Sequence, residues 1–202
     1  MNKKICRIVG AGDFTNFFYN KSDFIIAADG GYDYLSKINV IPNILLGDFD
    51  SIKSIPDSKQ KQIKFKPEKD FTDIYAAIKL GIKSGCEIFH IYGALGKRFD
   101  HSLANIQLLV YLSQNKFKAF LHYKNKLITA ITDTNIFFSK QKKGVISIFS
   151  HTNKSYGVYI KNLKYELDNV TLTNIFPLGI SNEFIGKKSF ISVKSGTLII
   201  IF

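Results

Sequence analysis

Arginine is almost missing from this 202-residue chain, with only Arg7 and Arg98 among its 28 basic residues. The planar guanidinium fork is the group favoured for base edges and phosphates, so a net charge of +12 carried by scattered lysines argues against a nucleic-acid partner. The same field still draws small anions such as nucleotides. Cysteine is scarce too. Cys6 and Cys86 each sit in an apolar run, which argues for two reduced core thiols rather than a disulfide framework or a metal site. No stretch approaches the roughly 18 apolar residues of a membrane span, and MNKKICRIVGAGDF lacks the apolar segment and cleavage site of a signal peptide. A cytoplasmic protein with no membrane partner is therefore expected. A hydrophobic share of 46% with 22% charged residues suits a folded chain, and the length fits one large domain or two small ones.

What is present is an alternation of short apolar runs and helical patterns. KICRIVGAG, DFIIAADGG and NILLGDFDS read as buried strands ending in Gly or Asp. FTDIYAAIKLGIKSG spaces Ile74, Ala77, Ile78 and Ile82 for an amphipathic helix ended by Gly85. CEIFHIYGA predicts a strand, HSLANIQLLVYLSQ a helix, and KAFLHY and LITAI further strands. The pattern predicts an α/β domain over residues 1–136 with a mainly parallel sheet, whose ligands gather outside the strands' carboxyl ends. Beyond residue 136, after the punctuation KQKKG, short runs without a long helix predict a small all-β domain over 137–202, with ISVKSGTLIII as a hairpin.

Four strand-end segments carry the chemistry: ADGG at 28–31, GDFDS at 47–51, EKDFTD at 68–73 and GALGKRFDH at 93–101. In an extended GDFDS segment Asp48 and Asp50 point one way and Phe49 the other, offering a two-oxygen clamp for one hard cation. Mg²⁺ suits it, because that ion takes oxygen ligands and is shared between one or two carboxylates and substrate phosphates. Asp73 is a candidate third ligand, although Asp70, Thr72 and Asp73 also resemble a helix start. Gly30 and Gly31, like the GAG at 10–12, allow close backbone approach to a phosphate, yet neither matches a standard phosphate loop. Arg98, between Gly96 and a helix start at Asp100, suits phosphate oxygens. His101 is open between a ligand contact, a general acid and a plain first-turn residue; His90 reads as a core histidine. Metal-assisted phosphoryl chemistry is what remains.

Taken in this order and spacing, ADGG, GDFDS, KD-x-TD and G-x-x-G-x-R-x-DH resemble the thiamine pyrophosphokinase (thiamine diphosphokinase) family, and NLKYELDN with GISNEF is similar to its C-terminal domain. The resemblance implies a Rossmann-like ATP- and Mg²⁺-handling domain, a small β-sandwich that helps to hold thiamine, and a homodimer. It implies metal ligation by Asp48, Asp50 and Asp73, with Lys69 and Arg98 assisting catalysis. It also implies nucleotide contacts at Asp29, Gly30, Gly31, Thr72, Arg98, Asp100 and His101, and thiamine contacts at Ser181 and Asn182. Two positions depart from the pattern. Lys97 stands where the family commonly has a second glycine, a strained place for lysine if φ is positive there. Tyr165 is the nearest aromatic where a Trp is typical. The rivals are a D-x-D phosphohydrolase with Asp48 as nucleophile, a D-x-D nucleotide-sugar transferase and a basic nucleic-acid-binding module.

Overall fold

The structure, a computed structural model, describes residues 3–54, 56 and 60–202. It is a mixed α/β chain with a large sheet and a second, antiparallel one. Contacts divide it into two units, one reaching Leu108 and taking up Phe117–Asn125, the other comprising Leu109–Lys116 and Lys126–Phe202.

The first unit contains β1 (Ile5–Val9), β2 (Phe24–Ala28), α1 (Gly31–Lys37), β3 (Ile44–Gly47), β4 (Gln62–Lys64), α2 (Asp73–Lys83) and β5 (Ile88–Tyr92). α3 (Phe99–Gln114) and β6 (Lys118–Tyr123) follow, α3 passing into the second unit at Leu109. The strands lie in the order β6-β5-β1-β2-β3-β4, and every pair is parallel. Because both faces of such a sheet are covered, its strands need continuous apolar runs. ILLG and FIIAA meet that need, with burial along almost their whole length. Tyr32 and Leu35 of α1 join Val9, Ala27 and Leu45 in one cluster, while Ile74, Ala77 and Ile78 form the buried side of α2. Gly31 opens α1 close against β1, where any Cβ would collide with the Val9 carbonyl. The second glycine of ADGG therefore serves helix-to-strand packing.

The second unit is all β beyond the end of α3. It holds β7 (Lys126–Thr132), β8 (Asn135–Phe138), β9 (Val145–Ser150), β10 (Lys154–Lys161), β11 (Leu167–Thr173), β12 (Asn182–Glu183), β13 (Ser189–Ser192) and β14 (Thr197–Ile201). Strands run β12-β9-β14-β7 and, in the second sheet, β11-β10-β13-β8. One apolar cluster draws on both, including Ile148, Ile160, Ile191 and Leu198. The expected ISVKSGTLIII hairpin does not form. β13 pairs with β10 and β8, whereas β14 pairs with β7 and β9, so the turn at Gly196, φ +121°, carries the chain from one sheet to the other. The run KQKKG lies between β8 and β9, inside this unit.

One arginine is spent on the core. Arg7 of β1 pairs through Nε with Asp23 Oδ2 at 2.5 Å and donates from Nη1 to the Tyr92 hydroxyl at 2.9 Å. Nearby, His90 Nδ1 and His122 Nε2 share a hydrogen bond of 2.9 Å, and the His122 ring stacks on Tyr92. Burial, reinforced by the Arg7 charge, pushes His90 down to about 4; burial together with His90 and Arg7 pushes His122 down to about 3. Both rings are thus neutral in the fold.

An unfolded chain protonates such rings near the usual value of about 6.5, and the folded one resists until much lower pH. Stability is complete above about pH 6.5 and falls as pH drops toward the folded values near 4 and 3. Urea unfolding midpoints measured through that window should decline with falling pH. In His122→Phe the decline should be shallower.

Candidate active site

β2, β3 and β4 extend the sheet to one side of β1, and β5 and β6 extend it to the other. A crevice opens outside the carboxyl ends where such a sheet reverses its build. Here a cleft of about 780 Å³ is lined by the residues leaving β1, β2, β3 and β5. Its floor is backbone. Gly10 donates to Tyr92 O at 2.8 Å, Gly12 to Gly93 O at 2.6 Å and Asp13 to Leu95 O at 2.7 Å. A Cβ at Gly12 would run into the Leu95 and Gly93 carbonyls, so the GAG motif is needed for two chain segments to meet. Tyr34 of α1 braces that floor, its hydroxyl donating to Gly12 O at 2.8 Å.

Asp29, the first residue beyond β2, adopts left-handed φ, +51°, and donates its amide to Leu46 O at 2.7 Å. Its Oδ2 accepts from Ser51 Oγ at 2.5 Å, while its buried Oδ1 has no partner among the described residues. A buried acceptor left unmatched costs about 1–3 kcal/mol, and such atoms mark places where a ligand or ion completes the bonding. Asn105 of α3 repeats the pattern: Nδ2 donates to Ala94 O at 2.7 Å, and Oδ1 is buried and unmatched.

The GDFDS segment is not extended. β3 stops at Gly47, and Phe49 turns left-handed at φ +72°, a conformation costing on the order of 1 kcal/mol for a bulky residue. Phe49 packs against the α1-side cluster, and the Asp50 amide donates to Asp48 Oδ1 at 3.2 Å, an Asx-type turn. The alternation argument for a two-carboxylate clamp thus does not hold. Asp48 lines the cleft, and Asp50 is an exposed turn residue outside its lining.

Opposite them, Thr72 is the N-cap of α2 and accepts from the Tyr75 amide at 3.2 Å, which places Asp73 in the first turn. Lys69 donates to Asp73 Oδ1 at 2.7 Å, with the lysine side chain only 11% exposed. Lys69, Asp70, Thr72 and Asp73 all line the cleft, so a helix start and a site coincide here. Among the described residues no three acidic, His or Cys side chains are assembled as a ready metal cage. The carboxylates of Asp29, Asp48 and Asp73 nevertheless all line the cleft, hard-oxygen donors of the kind that suit a cation that keeps waters and shares itself with substrate phosphates.

The remaining wall is the loop before α3. Gly96 and Lys97 are both left-handed, at φ +84° and +46°, so lysine does occupy a backbone position that favours glycine. Lys97 Nζ donates to Ala11 O at 2.5 Å. Arg98 lines the cleft and bridges Asp100 at 2.6 Å; that hydrogen bond holds the Asp100 carboxyl down to about 2. Both partners are well exposed, so the pair adds little stability and is free to open toward a ligand. His101 lines the cleft, whereas Gly30, Gly31 and Asp100 do not.

Ser181 and Asn182 belong to the second unit. Ser181 is left-handed, at φ +55°, and its amide donates to Ser147 Oγ at 3.1 Å. Asn182 is buried and structural: Oδ1 accepts from the Tyr165 amide at 3.0 Å and Nδ2 donates to Tyr165 O at 2.6 Å. That clasp leaves the Tyr165 side chain 58% exposed. Two polar cleft residues are not among those the sequence pointed to. Ser51 was legible as the end of GDFDS, and Asn105 as the residue one helical turn beyond His101.

An α/β unit with a charged cleft at its strand ends, joined to an all-β unit, defines a two-unit enzyme whose polar machinery sits on the α/β part. Comparison with known proteins gives the family. Residues 15–121 match "Thiamin pyrophosphokinase, catalytic domain" and residues 133–198 match "Thiamin pyrophosphokinase, vitamin B1 binding domain". The thiamine pyrophosphokinase of Bacillus subtilis is 30% identical over 185 residues, covering 87% of this chain and 85% of its own. Thiamin pyrophosphokinase 1 of Caenorhabditis elegans is 25% identical over 195 residues, covering 89% and 79%. The crystal structure of the B. subtilis thiamine pyrophosphokinase superposes with a TM-score of 0.88 at 28% identity, covering 98% of each chain. The chain belongs to the thiamine pyrophosphokinase family.

Thr72 joins the fold to the cleft, and its replacement tests that link. Thr72→Ala should cost about 1 kcal/mol in urea unfolding, the usual worth of an N-cap, and Thr72→Ser should recover most of it.

Proposed function

We infer that this chain is a thiamine pyrophosphokinase, transferring the terminal pyrophosphoryl group of ATP to thiamine with release of AMP. The observation that carries the reading is the family match over both halves of the chain, whose first half holds the charged cleft. In the reaction the hydroxyethyl oxygen of thiamine attacks the β-phosphorus of ATP. The bond from that phosphorus to the AMP oxygen breaks, and the hydroxyl proton passes to an aspartate of the cleft. The first unit serves as a Rossmann-like nucleotide domain and the second, a β-sandwich, as the thiamine-binding and dimerising part of a cytoplasmic homodimer.

Four carboxylates and three cations line the cleft, so the chain's own groups act by charge and position. Lys69 and Arg98 neutralise phosphate oxygens, Arg98 by opening from Asp100. Asp29, Thr72 and His101 contact the nucleotide, with Gly30 and Gly31 setting the turn behind Asp29. Ser181 supplies a thiamine contact, and Asn182 holds its segment in place. Asp48 and Asp73 would hold Mg²⁺, and the Asp50 amide supports Asp48 through its turn. That ion would supply positive charge to offset the charge of the phosphates.

The D-x-D phosphohydrolase reading makes Asp48 a nucleophile, but the family match does not favour it, and a basic nucleic-acid module leaves the four cleft carboxylates without a role. Incubation with Mg²⁺-ATP and thiamine should yield AMP and thiamine diphosphate in equal amounts. ADP, or free phosphate with thiamine unchanged, would sink the assignment. Asp48→Asn should lower turnover by about a hundredfold, in the range of lost catalytic groups, with an unchanged melting temperature. Wild-type rates in that variant would remove Asp48 from the site.

A further inference from the structure

The three cations of the cleft are held in unlike ways. Asp73 binds Lys69 at 2.7 Å, and Asp100 binds Arg98 at 2.6 Å. Lys97 instead donates to a neutral acceptor, the Ala11 carbonyl at 2.5 Å, with the Tyr34 ring centroid 5.9 Å from its nitrogen. A carbonyl presents a partial charge and a phosphate oxygen a formal one, so an incoming anion competes well for this ammonium. Nothing charged is orphaned by the exchange.

The floor beneath it creates the need. In a phosphate loop the backbone amides point at the anion. Here the amides of Gly10, Gly12 and Asp13 already donate to Tyr92, Gly93 and Leu95. Those three amides are thus unavailable to an anion above the Gly10–Gly12 turn, and a side-chain cation would make up the charge. Lys97 supplies one, reaching Ala11 from 86 residues away in sequence. It does so from a left-handed backbone, φ +46°, that glycine would adopt without strain. Lys116 and Lys124 are left-handed too, so the backbone alone assigns no role, and it is the placement of the ammonium that does.

We propose that Lys97 is a substrate-contacting residue whose ammonium binds the phosphate chain of the nucleotide over the Gly10–Gly12 turn. The proposal rests on the reading of this cleft as the ATP site. It gives the loop a cation where a glycine would leave only backbone.

The test compares the wild type with Lys97→Gly, Lys97→Gln and Lys97→Arg, measuring ATP binding by calorimetry with Mg²⁺ across a series of salt concentrations. Lys97→Gly and Lys97→Gln should weaken ATP about tenfold, or about 1.4 kcal/mol, and should flatten the salt dependence. Lys97→Arg should stay within about threefold of wild type, because the charge is kept. The KM for thiamine should move by less than about twofold in all three. Lys97→Gly should melt no lower than wild type, since the left-handed turn suits glycine. Wild-type ATP affinity in both neutral variants overturns the proposal and leaves Lys97 as a loop tether. Weakened binding that comes with a lowered melting temperature in Lys97→Gly also overturns it, in favour of a structural role. A wild-type chain that binds ATP but forms no thiamine diphosphate refutes the proposed reaction and leaves the Lys97 result readable.

Discussion

Two backbones meeting without side chains between them is the constraint on which the rest of the site depends. β1 and β5 are adjacent parallel strands, and where they end the segments Gly10–Gly12 and Gly93–Leu95 continue to bond to each other. Side chains at Gly12 would force those segments apart. Because they stay together, the sheet's two directions of growth diverge from a closed floor, and the strand-end acids are arrayed around one cleft. The same closeness uses up amides that a phosphate loop would offer, so the cleft relies on side-chain charge.

That charge is managed by pairing and by position. Asp73 is held by Lys69, Asp100 by Arg98, and Asp29 by the hydroxyl of Ser51. Asp48 and Asp50, adjacent but for one residue, avoid a parallel arrangement through the left-handed turn at Phe49. What the cleft leaves unmatched is two buried oxygens, on Asp29 and Asn105. Both are acceptors, so a hydrogen-bond donor or a cation, not a phosphate oxygen, is what completes their bonding. The scarcity of arginine sharpens the picture. One guanidinium is buried with Asp23 and Tyr92 to organise the core, and the other stands at the mouth of α3.

Much of this was legible in the residues. The apolar runs of β1, β2, β3 and β5 and the spacing of α2 are strong periodic signals, and their strand-end acids and glycines identified the family. Less was legible where partner choice is nonlocal. ISVKSGTLIII has the form of a hairpin, yet its halves join different sheets because Ile191 and Leu198 fill one apolar cluster drawn from both. GDFDS reads as an extended clamp, yet burying Phe49 bends it. Asn182 reads as a ligand residue, and its amide is consumed by Tyr165.

By itself the sequence determined the element types of the first half, the family and the strand-end segments around the cleft, because local periodicity and motif order are properties of neighbouring residues. Only the tertiary structure decided which oxygens are left without partners, which cations are already paired and where each carboxylate stands. Those outcomes depend on segments far apart in the chain meeting at one place, as Lys97 does with Ala11, and no local pattern records such a meeting.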